Sequence, residues 1–161
     1  MNKAYLLTGG NLGDRAGNLA MASAYIQQYC GTIVQKSCLY ETAAWGLQDQ
    51  PDFYNQAILL ETDLTAPNLM EILLRIEYKM GRTRTVKMGP RIIDIDMLFY
   101  NTAIMETATL IIPHPRMQER RFVLMPLAEI APQYVHPVFH KTIVQLLEAC
   151  KDELNVYKIE Q

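Results

Sequence analysis

Thr65-Ala66-Pro67-Asn68-Leu69-Met70-Glu71-Ile72-Leu73-Leu74-Arg75-Ile76-Glu77-Tyr78-Lys79-Met80-Gly81, followed after a basic segment by Ile92-Ile93-Asp94-Ile95-Asp96-Met97-Leu98-Phe99-Tyr100, decides the architecture. The first part predicts a helix. Thr65 can cap it, and Pro67 sits in the first turn, where a missing N–H is harmless. Leu69, Ile72, Leu73, Ile76 and Met80 recur at i, i+3, i+4, i+7 and i+11 as one apolar stripe, and Gly81 ends it. The second part is apolar apart from two carboxylates and predicts a central strand. Towards the N-terminus, Phe53–Glu61 reads as a strand, 41–52 as a loop, and 32–40 as another strand. A helix starts at Asn11 or Gly13-Asp14 and runs to about Tyr29, with Leu19, Ser23 and Ile26 on one face. Residues 3–8 form a first strand ended by Gly9-Gly10. The order β-α-β-β-α-β is the split βαβ of ferredoxin-like α+β folds, built on an antiparallel sheet. Towards the C-terminus we expect a hairpin near 102–112, a helix from about Arg121 to Ile130, and a helix around Lys141–Cys150. Without repeats, low-complexity tracts or linkers, residues 1–161 are expected to form a single domain.

Composition bounds the function. The 161 residues are half apolar and one-fifth charged, ordinary for a soluble domain. No apolar run approaches the roughly 20 residues that span a bilayer, so no membrane association is expected. The apolar N-terminal stretch is too short for a signal peptide. Cys30, Cys38 and Cys150 are odd in number and widely spaced, which points to reduced thiols and a cytoplasmic setting. A net charge of −2 gives no reason to expect a nucleic-acid partner. The charge is unevenly spread, however. Arg75, Lys79, Arg82, Arg84, Lys87 and Arg91 face one acid, Glu77, within seventeen residues, and Arg116, Arg120 and Arg121 follow His114. Cations gathered in a mildly acidic chain indicate a local anionic ligand.

Asp94 and Asp96 lie on one face of their strand, roughly 7 Å apart at about 3.3 Å per residue. Buried unpaired, each would cost several kcal/mol; a magnesium ion shared with phosphate oxygens would remove that penalty. The residues alone leave a solvated edge strand or pairing with arginines as the alternative. Arg82, Arg84, Lys87 and Arg91 stand between helix and carboxylates, and arginine matches phosphate geometry. Metal carboxylates flanked by arginines form the clamp that phosphoryl transfer needs.

Lys87-Met88-Gly89-Pro90-Arg91-Ile92-Ile93-Asp94-Ile95-Asp96-Met97-Leu98 resembles the signature of the 6-hydroxymethyl-7,8-dihydropterin pyrophosphokinases of folate synthesis. Thr8-Gly9-Gly10-Asn11-Leu12-Gly13-Asp14 is similar to that family's opening turn. Tyr40-Glu41-Thr42, Gly46, Gln48–Asp52 and Asn55 are similar to its pterin loop and the strand after it. Arg75-Ile76-Glu77, Gly81-Arg82, Arg84, Ile112-Pro113-His114, Arg120, Phe122, Pro126-Leu127 and Glu129–Pro132 follow in order, so the resemblance covers about residues 4–135. It implies transfer of diphosphate from ATP to the hydroxyl of 6-hydroxymethyl-7,8-dihydropterin, with two magnesium ions on Asp94 and Asp96 and AMP leaving. Arg82 and Arg91 would orient the phosphates. Glu77, Arg84, Lys87, Ile95, His114 and Arg120 would line the ATP site. Gly9, Thr42, Ala43, Trp45, Phe53, Asn55 and Phe122 would contact the pterin, Phe122 by stacking and Asn55 through the ring edge. The resemblance also implies small-molecule partners only, and we expect a monomer.

The chain departs from that pattern in places. Met88 stands where many members place an aromatic, and its loop is one residue shorter than in some of them. Ala43-Ala44 replace a frequent Pro-Pro, Phe53 a common tyrosine, and Gly10 a serine. None removes a group the chemistry needs. Two rivals remain at the level of sequence. The same element order builds an RNA-binding module, although carboxylates on the central strand would repel RNA. A catalytically dead ligand-binding regulator would have lost an Asp or a clamp arginine, and all are present.

Overall fold

The computed structural model describes residues 1–43, 49–82 and 89–159. β1 (Asn2–Gly10), α1 (Arg15–Tyr29), β2 (Thr32–Lys36), β3 (Leu39–Thr42), β4 (Phe53–Thr62), α2 (Ala66–Lys79) and β5 (Asp94–Tyr100) follow the expected order with one change. The strand expected over 32–40 is broken at Ser37-Cys38, and both halves pair with β4. Ser37 explains the break. Its hydroxyl accepts the Ala57 N–H at 2.9 Å, its N–H donates to the Ala57 carbonyl at 2.9 Å, and its carbonyl takes the Gln56 amide at 2.7 Å. A side chain competing for ladder hydrogen bonds lets the strand turn without orphaning backbone groups. The strand expected from Ile92 begins at Asp94, and it lies at the edge of the sheet beside β1, not at the centre as its apolar character suggests.

Thr65 caps α2 through Asn68 N, and Gly81 takes φ +91°, the left-handed turn glycine tolerates best. The hairpin is present as β6 (Met105–Glu106) and β7 (Ile111–Ile112), followed by α3 (Arg121–Ile130) and α4 (Ile143–Ala149). β8 (Val156–Ile159) was not expected; its four residues carry too short a pattern to distinguish from coil. The sheet runs β5-β1-β4-β3-β8, with β2 also beside β4, and its pairings are antiparallel.

Strand alternation sends side chains into two cores. Leu6, Ile58, Leu60, Ile95 and Met97 meet Leu19, Ile26, Leu69, Leu73 and Ile76 of α1 and α2. Leu7, Ala57, Leu98 and Phe99 meet Val123, Leu124, Leu127, Ile143 and Leu146 of α3 and α4. The second face also carries Asp94 and Asp96, so the carboxylates continue an apolar row at its open end.

Beside that second core His136 is only 2% exposed. Its Nδ1 accepts from the N–H groups of Val138 at 3.1 Å and Phe139 at 3.2 Å, while Nε2 has no hydrogen-bond partner. The ring meets Phe99 edge-on at 5.3 Å and Phe139 at 4.5 Å. The two N–H donors require neutral Nδ1, and burial lowers the pKa from 6.5 to about 4. The folded state therefore binds fewer protons than the unfolded one. The stabilisation is complete above pH 6.5 and is lost as pH falls towards 4, an effect on the order of 2 kcal/mol. His136→Asn, whose Oδ1 can take over from Nδ1, is expected to flatten the dependence of melting temperature on pH across this window. An unchanged slope would place the acid sensitivity elsewhere.

Candidate active site

Three neighbouring strands set the site in rows. Asn55 of β4, Gly9 of β1 and Asp94 of β5 lie opposite one another, and Ala57, Leu7 and Asp96 form the next row. Tyr40 of β3 extends the first row, and Thr42 pairs with Phe53 beyond it. Leu7, Gly9, Thr42, Ala43, Phe53, Asn55, Arg91, Asp94, Asp96, Arg120 and Phe122 line one cavity of about 590 Å³, partly open to solvent. Ten of these are residues the sequence singles out. Leu7, the exception, could have been found from alternation, being two residues before Gly9 on the same face.

Gly9 is required by close approach. A Cβ there would fall well inside contact distance of Asn55 Oδ1. The Asn55 side chain thus lies across bare backbone, 4% exposed, and its Nδ2 has no hydrogen-bond partner. A buried amide left with a donor unmet marks a place where a ligand acceptor belongs.

At the other end the charges are tightly matched. Arg82 Nη1 lies 2.7 Å from Asp94 Oδ1 and 3.0 Å from Glu77 Oε1, and Arg91 Nη1 lies 3.1 Å from Asp94 Oδ2. The arginine-paired alternative is therefore realised at Asp94. Glu77 is 4% exposed; its Oε2 accepts the Ile95 N–H at 2.6 Å, fixing the strand between the two aspartates. Burial, the largest influence, raises the Glu77 carboxyl to about 7, and Arg82 and the Ile95 N–H only partly offset it. For Asp96 burial again dominates, with Asp94 and Glu77 adding repulsion, and the carboxyl is pushed up to about 8. Asp96 therefore resists ionisation at neutral pH.

His114 donates its N–H to the Leu98 carbonyl at 3.0 Å, which ties its loop to β5. Burial and then the Arg120 charge lower its imidazole to about 4, so it is neutral at pH 7. The Arg120 guanidinium stands 5.8 Å from the Phe122 ring centre and the Arg91 guanidinium 5.5 Å from that of Phe53. Glu77, Arg82, Ile95 and His114 are not among the cavity's described lining residues, and the Ile95 side chain is buried in the first core, on the face of the sheet opposite Asp94 and Asp96. Trp45, Arg84 and Lys87 fall outside the described residues.

Asn11, which the sequence suggests as a helix start and as part of the turn that resembles the family's, is the joint of the site. It is 2% exposed. Its Oδ1 accepts the Arg91 N–H at 2.9 Å, and its Nδ2 donates to Gln50 Oε1 and the Pro51 carbonyl, each at 2.9 Å. The Asn11 N–H returns to the Arg91 carbonyl at 3.0 Å. One amide thus joins the turn after β1, the segment before β4 and the backbone of a clamp arginine.

The sequence matches the family described as 7,8-dihydro-6-hydroxymethylpterin-pyrophosphokinase (HPPK) over residues 5–132. The 2-amino-4-hydroxy-6-hydroxymethyldihydropteridine pyrophosphokinase of Synechocystis is 47% identical over 141 residues, 87% of this chain and 72% of that protein. The Bacillus subtilis protein of the same name is 47% identical over 133 residues, covering 82% and 80%. Folic acid synthesis protein FOL1 of Dictyostelium discoideum is 43% identical over 141 residues, but the match spans only 21% of its length. Among solved structures, Plasmodium falciparum HPPK-DHPS aligns with 92% of this chain and 43% of its own at a TM-score of 0.73. At 20% identity that likeness establishes the fold alone.

Proposed function

From a chain that belongs to the 7,8-dihydro-6-hydroxymethylpterin-pyrophosphokinase family, we propose a diphosphotransferase that uses ATP and magnesium. It moves diphosphate to the hydroxyl of 6-hydroxymethyl-7,8-dihydropterin, giving the pterin diphosphate and AMP in folate biosynthesis. The observation that carries this reading is the pairing, in one cavity, of an unmet buried amide beside aromatic rings with two carboxylates beside arginines.

Phe122 and Phe53 supply apolar faces for a flat heterocycle, and Asn55 Nδ2 donates to an acceptor on its edge. Gly9, Thr42 and Ala43 bound the ring, and the motif assigns Trp45 to the same side. The hydroxymethyl end then points along the row towards Asp94 and Asp96. These hard oxygen donors suit magnesium, and the resistance of Asp96 to ionisation without a cation is the charge imbalance that a metal relieves. Among the described residues no group of three or more His, Cys, Asp or Glu forms a fuller metal cage, so other ligands would come from phosphate and water. When bound, two magnesium ions supply Lewis-acid neutralisation of the triphosphate. Arg82 and Arg91 hold the transferring phosphates and meet the developing charge, with Arg84, Lys87 and Arg120 adding cations around the chain of phosphates. Glu77 keeps Arg82 and Ile95 in register, and neutral His114 offers a hydrogen bond without adding charge. No general base is assigned.

We read residues 1–161 as one such domain, monomeric and cytoplasmic, with only small-molecule partners. No helix among the described residues is long and apolar enough to cross a membrane. Incubation with ATP, magnesium and hydroxymethyl-dihydropterin, resolved by chromatography, is expected to yield AMP and the pterin diphosphate. ADP, or absence of pterin-dependent turnover, would overturn the reading. Gly9→Ala is expected to raise KM for the pterin by at least roughly tenfold, because the methyl displaces Asn55 and overpacking costs about 1–3 kcal/mol. A normal pterin KM in a folded variant would remove Asn55 from the ring edge.

A further inference from the structure

The first turn of α3 is poorly supported from within. Arg120 occupies its N-cap position and provides no capping side chain. Pro126 has no N–H to give the Phe122 carbonyl four residues before it. Support comes instead from thirty-one residues further on. Asp152 Oδ2 accepts the Arg121 N–H at 3.1 Å, and Oδ1 accepts the Leu154 N–H at 3.0 Å, so the carboxylate is locked by its own chain. A fixed anion there also suits the helix dipole. The capped N–H lies between Arg120 and Phe122, both on the cavity wall.

The same segment then reaches the other wall. The Asn155 carbonyl accepts the Thr42 hydroxyl at 3.1 Å, and β8 pairs along β3 from Val156 opposite Thr42 to Ile159 opposite Leu39. Lys158 lies 3.6 Å from Glu129, whose carboxylate also accepts the Tyr40 hydroxyl at 2.7 Å and the Cys38 N–H at 3.1 Å. α3 and β3 are therefore joined at both ends, although Tyr157 points outward at 62% exposed and β8 has no fully buried residue.

We propose that Asp152–Ile159 is a strap that sets the spacing between the Phe122 wall and the Thr42–Ala43 wall, with Asp152 as a positioning residue for the pterin. The proposal rests on the functional reading above for the identity of the ligand. The ATP-side groups Glu77, Arg82 and Asp94 hold one another and take no support from the strap; of the ATP-side residues only Arg120 adjoins the capped N–H, so the effect falls mainly on the pterin.

The full chain is tested with Asp152→Ala, Asp152→Asn and Thr42→Val, each assayed with pterin and ATP varied in turn. Asp152→Ala is expected to raise KM for the pterin about tenfold, the scale of a lost N-cap, and KM for ATP by a clearly smaller factor, through Arg120 alone. Asp152→Asn keeps an acceptor oxygen and recovers most of the loss; Thr42→Val shifts the pterin KM in the same direction. Equal rises in both KM values, or an unaltered pterin KM, would overturn the strap. Amide exchange at Arg121 and Phe122 reads the strap without turnover. It is expected to accelerate in Asp152→Ala, and unchanged protection would also overturn the proposal. A wild-type chain that turns over no pterin, with these amides still responding, would instead overturn the functional reading alone.

Discussion

Asp96→Asn is expected to lower turnover by roughly a thousandfold or more, while leaving the fold as stable as before or more so. The two halves of this result have one cause. Asp96 lies in the row with Leu7 and Ala57, among the carboxyl groups of Asp94 and Glu77, and burial raises it to about 8 against 3.8 for a free Asp. Its folded value lies above its unfolded value, so the stability it contributes is present at low pH and lost as pH rises through that interval. At pH 7 the unfolded chain carries the charge and the folded chain resists it. The neutral isostere removes this strain and, on the proposed function, the anion that would hold magnesium against the triphosphate. A site that weakens the fold in order to hold a cation is the usual trade between stability and activity. Melting temperature and single-turnover rate in magnesium check both halves. A variant that kept the wild-type rate would make the metal assignment wrong.

Arg82→Ala is expected to slow transfer by about 10³-fold or more, with a smaller loss in ATP binding, because the guanidinium acts mainly on charge that develops during transfer. It should also destabilise the fold. Arg82 is the ion-pair partner of Glu77, and removing one side of a buried pair costs about 3–5 kcal/mol when the other stays charged. Glu77 already sits near 7, so it takes up a proton instead and the loss is expected at the lower end. Adding Glu77→Gln to Arg82→Ala should restore melting temperature without restoring rate. Losses of affinity and rate in equal measure would make Arg82 a ground-state binder instead.

Much of this was legible in the sequence because the signals were local and periodic. The α2 stripe, with Thr65 before it and Gly81 after it, fixed that helix, and Asp94-Ile95-Asp96 declared its two faces by alternation alone. The motif blocks led to ten of the eleven cavity residues. What escaped depends on contacts between distant parts of the chain. Ser37 breaks a strand because of Ala57, which no window around residue 37 contains. β8 forms only because β3 has a free edge. Asn11 looks like a helix start until Gln50, Pro51 and Arg91 are brought to it, and Arg82 pairs with Asp94 and Glu77.

The Asn11 joint bears on how this protein can be redesigned. Here the fastening points are Gln50 and Pro51 on one side and Arg91 on the other. Sequence exchanged between Ala43 and Asp49, or between Arg82 and Gly89, leaves all of these anchor atoms untouched. Ala44, Met88 and the shorter basic segment, three of the places where this chain leaves its family's pattern, fall inside those two windows, whereas Gly10, Ala43 and Phe53 do not. A graft of sequence from relatives there would keep Trp45, Arg84 and Lys87, which the proposed function uses, and asparagine at position 11.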